Sequence, residues 1–128
     1  MVECGTGDPF RAGRINVDVN LLRRQMIIHS VDDRMFLSLL QRSKGQSSGI
    51  DDGERHLLAY AITQPDVYFL CSPDKACMQV GFTLNILDRF VSLEVLAKKA
   101  GINSTRFVDP FNEKWHQAFR SKLQLDML

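Results

Sequence analysis

Apolar positions fall along this chain in blocks whose period changes from one block to the next. Residues 14–24 carry Ile15, Val17, Val19 and Leu21 in alternation, a pattern that a strand and the half-buried end of a helix share. Met26-Ile27-Ile28-His29-Ser30-Val31 is a short, partly β-branched apolar run and reads as a strand. Ser30 or Asp32 can cap the helix that follows over about 33–42, whose spacing buries Met35, Phe36, Leu39 and Leu40. Ser43 to Gly49 is polar and glycine-bearing and reads as a loop. Asp51-Asp52-Gly53-Glu54 opens a helix with Leu57, Leu58, Ala61 and Ile62 on its apolar face, and Gln64-Pro65-Asp66 ends it. Val67-Tyr68-Phe69-Leu70-Cys71 is continuously apolar, as a strand buried on both faces would be.

Ser72 then suits a helix cap, Pro73 suits the first turn, and the helix is expected to reach about Leu84. Ile86–Val91 reads as another short strand, and Leu93–Ala100 as a helix closed by Gly101. Asp109-Pro110 begins a last helix with Phe111, Trp115, Phe119 and Leu123 on one face, a stripe that suits core or docking surface. Strand and helix alternate. The expected fold class is therefore α/β with a small, mostly parallel sheet.

Composition narrows the function classes only a little. The 128 residues are 45% hydrophobic and 24% charged, the balance of an ordinary globular domain, which excludes a disordered tail, a collagen and a coiled coil. Sixteen basic and fifteen acidic residues leave a formal charge of +1, so any nucleic-acid patch must come from local clustering. No apolar run approaches a membrane span and no secretory pattern opens the chain, so a cytoplasmic protein without a membrane partner is expected. Cys4, Cys71 and Cys77 are odd in number and lack zinc spacing, which fits a reducing compartment. His29, His56 and His116 have no nucleophile or acid at a motif spacing and read as polar residues of solvated or half-buried faces. Gly5-Thr6-Gly7-Asp8-Pro9 lacks the preceding strand and the lysine of a phosphate-binding loop.

Two acids carry the candidate chemistry. A connection of about three residues makes the Asp52 helix and the Val67 strand antiparallel neighbours. The helix is roughly 15 Å long and the strand roughly 17 Å, so the start of one should lie near the end of the other. Glu54 marks the first and Asp74 follows the second, at the edge where open α/β folds bind ligands. Glu54 also shares the helix face of Leu57, Leu58 and Ala61. Converging carboxylates form an oxygen-only site suited to Mg²⁺ or Mn²⁺. A structural reading competes: Asp51-x-x-Glu54 is also a capping box, Asp74 can be an acid of a first helical turn, and Asp51 or Asp52 can replace Glu54 as the inward acid. Lys75, Arg55, Arg42 and Lys44 fall near this edge and suit either phosphate contacts or plain solvation.

The same residues carry a resemblance. Gly49-Ile50-Asp51-Asp52-Gly53-Glu54, Leu58-Ala59-Tyr60-Ala61, Val67–Cys71, Ser72-Pro73-Asp74-Lys75-Ala76, Val91–Leu96 and Ala100-Gly101 together resemble the C-terminal half of a PIN domain, over roughly residues 31–101. The resemblance implies a three-layer α/β/α fold, an acidic cluster binding divalent metal, and hydrolysis of single-stranded RNA, in many members as the toxin of a toxin–antitoxin pair. It carries Glu54 and Asp74 onto two of the family's acids and, more weakly, Glu3 of Met1-Val2-Glu3-Cys4 onto a third. The family's first strand, with its essential Asp, has no counterpart before Met1. This implies an N-terminally incomplete PIN-like domain over 1–101, a C-terminal helical extension over 102–128, and a protein partner or homodimer that covers the exposed edge. It also opens the alternative of a non-catalytic PIN-like interaction module.

Overall fold

Among the described residues six α-helices, each started by its own local signal, make up most of the regular structure. The computed structural model describes residues 18–103 and 106–126. These fall into two units, one up to Ser30 and one from Val31 onward.

In the first unit, α1 spans Val19–Gln25, with the Asp18 carboxylate accepting the Leu21 N–H at 3.0 Å. The helical reading of residues 18–24 is thus the one the chain adopts. None of its residues is buried. The run after it is not a strand: residues 27–30 have no regular structure, and Ile27 is 82% exposed. Ile15 and Val17 lie outside the described residues.

In the second unit, α2 (Asp33–Arg42) is capped by Asp32 and α3 (Asp52–Ala61) by Asp51. Then come α4 (Lys75–Thr83), α5 (Leu93–Lys99) and α6 (Glu113–Asp126). A 3₁₀ turn over Gln46–Gly49 lies within the predicted loop, entered through Gly45 at φ +82°. α2 packs on α3, α4 on α6 and α5 on α6. One core gathers Leu39 of α2, Leu58, Ala59 and Ala61 of α3, Cys77, Met78 and Val80 of α4, and Leu123 of α6. Leu40 and Leu57, expected inside, are exposed, and Ala59 takes the inward place beside Leu58. Among the described residues no helix is long and apolar enough to cross a membrane.

The expected three-layer α/β/α fold with a parallel sheet is not formed: among the described residues there are helices and no strand. What survives of the sheet is one parallel bridge, Leu70 to Phe90. The Leu70 N–H donates to the Arg89 carbonyl and the Val91 N–H to the Leu70 carbonyl, each at 2.8 Å. The physical reason is edge supply. A strand finds its hydrogen bonds on other segments, and two short segments without a third do not propagate a ladder. Much of Ile86–Val91 instead closes into a 3₁₀ turn over Leu87–Arg89.

The candidate acidic site

Glu54 stands at the third position of α3, and its backbone N–H donates to Asp51 Oδ1 at 2.9 Å. That is one half of the predicted capping box. The Glu54 carboxylate itself turns toward the start of α4, where Oε1 accepts the Ser72 hydroxyl at 2.8 Å. Ser72 Oγ also accepts the Asp74 N–H at 3.3 Å. The sequence pattern makes Ser72 the cap of α4, but Asp74 holds that place: its Oδ1 accepts the Cys77 N–H at 2.9 Å. Ser72 is 6% exposed and spans from α3 to α4, a role no local pattern reveals. Two acids twenty positions apart thus flank one serine.

The competing acids separate cleanly. Asp51 is taken up as the cap of α3. The Asp52 side chain is 83% exposed and pairs with Arg55. Glu54 is the acid of this helix start that meets the α4 corner.

Beneath the corner lies Cys77, fully buried. Burial pushes its thiol up to about 12, and the carboxylates of Glu54, Asp74 and Asp51 push the same way, opposed by a hydrogen bond with Ser72. The thiol therefore stays protonated at neutral pH and is a packing group. Cys71, half-buried, is raised by burial too. This coupling of Cys77 to all three acids is a feature that sequence reasoning missed. Its only signal was the i+3 spacing from Asp74.

The basic residues expected near this edge divide. Lys75 sits at the corner, with Nζ 5.7 Å from the centre of the Phe119 ring, itself stacked on Trp115 at 5.6 Å. Arg42 donates to the Ile62 carbonyl at 3.3 Å and Arg55 is engaged with Asp52. Lys44 stands exposed at φ +54° just before the 3₁₀ turn. Glu3, Cys4 and the Gly5–Pro9 segment lie outside the described residues.

The donor set consists of two hard carboxylates, Glu54 bonded to the Ser72 hydroxyl and Asp74 bonded to it through its backbone N–H. A carboxylate offers about four lone-pair sites, enough for a hydrogen bond and a cation together. Such a pair fits a cation that retains most of its water, as Mg²⁺ does with one or two carboxylates and a phosphate. Among the described residues no group of three or more His, Cys, Asp or Glu is arranged to hold a metal ion.

Compared with protein-family models, curated proteins and solved structures, the chain matches none.

Proposed function

We propose that the Glu54–Ser72–Asp74 corner is the acidic site of a PIN-like chain and takes Mg²⁺ or Mn²⁺ for the hydrolysis of single-stranded RNA. The observation that carries this reading is the Ser72 hydroxyl, which fixes Glu54 at 2.8 Å and backs the Asp74 N–H at 3.3 Å. Glu54 and Asp74 would hold the cation. Ser72 sets the rotamer of Glu54. Lys75, resting on Phe119 one residue after Asp74, meets a phosphate of the strand. The bound cation would supply charge stabilisation at the phosphate and a more acidic water for attack. Two ligands rather than three make for weak binding, so millimolar Mn²⁺ is the condition to use.

A second reading, a non-catalytic PIN-like interaction module, has its own support. The extended segment around Leu70 makes a single bridge, while Val67 and Phe69 on the alternate face are 83% and 58% exposed. Exposed apolar side chains beside partly paired backbone suit an added strand from a protein partner or a second copy.

Cleavage of an end-labelled single-stranded RNA by the full chain with Mn²⁺ separates the two. Activity lost in the Glu54→Gln/Asp74→Asn double variant supports the acidic site. An inert parent chain overturns hydrolysis and leaves the interaction module. Activity that survives in the double variant would move the site elsewhere.

A further inference from the structure

The opposite side of α3 faces a different feature. Between α2, the 3₁₀ turn and the start of α3 lies an open cavity of about 280 Å³. Its floor is apolar, from Phe36 and Leu39. One wall is aromatic: the His56 ring stands edge-on to Phe36, 4.8 Å between centres and 86° between planes. The volume is at the small end for ligand sites and suits one small ring system.

Its polar groups are few and specific. Ser47 lines the cavity although it is 2% exposed, and among the described residues its one side-chain-mediated bond is through its backbone N–H. The backbone N–H of Ser47 is satisfied by Ser43 Oγ at 3.2 Å, and among the described residues no sealed side-chain polar atom lacks a partner. The unpaired hydroxyl therefore opens into the cavity, where a ligand can complete it. At the rim Arg55 and Asp52 form an ion pair, a donor fork beside an acceptor with no net charge. His56 Nδ1 donates to the Asp52 carbonyl at 2.6 Å, which leaves Nε2 as an acceptor.

We infer that this cavity binds a small, uncharged, planar heterocycle with adjacent donor and acceptor groups, of the pyrimidine or purine class. The apolar floor and the aromatic wall take the faces of the ring. Arg55 donates to a ring carbonyl or nitrogen, Asp52 accepts from a ring N–H or amino group, and Ser47 completes either kind of bond. An anion is disfavoured by Asp52 and a cation by Arg55. A plain hydrocarbon leaves the Ser47 hydroxyl unpaired, which costs affinity. The assignment is independent of the acidic corner, because Glu54 turns to α4 while Asp52, Arg55 and His56 line the α2 side of the same helix.

The test is a titration of the isotope-labelled full chain with uridine and with adenosine, followed by amide NMR shifts, with phenol as the ring control. Saturable shifts confined to Leu39, Ser47 and His56 are expected for at least one nucleoside, with clearly tighter binding than phenol. Ser47→Ala and Arg55→Met should each weaken that binding about five-fold, the worth of one hydrogen bond. Arg55 is a rim residue, so its variant serves even if Ser47→Ala disturbs the turn. No saturable shift at millimolar nucleoside, equal binding of phenol, or undiminished binding by Arg55→Met would each overturn the inference.

Discussion

Gly81 and Phe90 show how much a single position can decide. A Cβ placed on Gly81 would lie 2.4 Å from one ring carbon of Phe90 and 2.8 Å from another. Phe90 is fully buried and is also the partner of Leu70 in the bridge, so the ring has nowhere to go. Gly81→Ala should therefore destabilise the chain by about 1–3 kcal/mol through overpacking, despite the better helix propensity of alanine. A denaturant melt checks this, and adding Phe90→Leu should recover part of the loss. Recovery of nothing would mean that the ring contact is not the cause. His116 makes a pH prediction at the same scale. It is 3% exposed, and its Nε2–H donates to the Phe90 carbonyl at 3.1 Å. Burial lowers its pKa, with Arg120 acting the same way and the Phe90 carbonyl and Glu113 opposing. Unfolded, it takes a proton near 6.5, while the folded ring resists. Stability is thus complete above that pH and falls as pH drops toward the folded value. Burial alone would raise Glu113, but hydrogen bonds from Ser92 and Gln117 outweigh it and hold the carboxyl below its usual range. Its contribution is likewise lost on acidification, at lower pH. Melting midpoints measured from about pH 8 down to about pH 2 should fall in both steps, and His116→Gln should remove the upper one.

At the scale of elements, the caps were the legible part. Asp18, Asp32, Asp51, Asp74 and Ser92 each accept an N–H three residues on, and Asn112 does so for Trp115. A cap and its partner are neighbours in sequence, so the helix starts at Asp33, Asp52 and Leu93 can be read locally. Ser72 defeated the same rule, because its hydroxyl answers to Glu54 eighteen residues away. So did the junction of α5 and α6, where Ser92 bonds Glu113, and Glu94 Oε1 accepts the Glu113 N–H at 2.8 Å. The double duty of Asp74, cap and candidate ligand, can be divided by substitution. Asparagine caps about as well as aspartate. Asp74→Asn should keep stability within about 0.5 kcal/mol, whereas Asp74→Ala should lose about 1 kcal/mol. Mn²⁺-dependent RNA cleavage should be lost in both. Cleavage by Asp74→Asn at the parent rate would reduce Asp74 to a cap and nothing more.

The whole molecule explains why the helices could be read and the sheet could not. A helix satisfies its backbone within one segment, so periodicity and caps suffice to place it. A strand is a statement about another segment, and apolar runs such as Val67–Cys71 and Ile86–Val91 carry no information on whether a third will join them. Here the remaining apolar run, Met26–Val31, belongs largely to the other unit, with Met26, Ile27 and Ile28 all exposed, and Leu70 meets Phe90 alone. Glu54 meets the start of α4 through the Ser72 hydroxyl at 2.8 Å, without a sheet to align them. Core membership follows the same division. Every buried apolar residue of the cluster lies between Leu39 and Leu123, and the partly buried ones packed on it begin at Val31. The unit from Val31 onward therefore holds a core that is complete among the described residues. A chain of residues 31–128 is expected to unfold cooperatively at a midpoint close to that of the full chain, with a denaturant slope reduced only by the surface removed. A midpoint far below that of the full chain, or a broad transition, would mean that residues before Val31 complete the core.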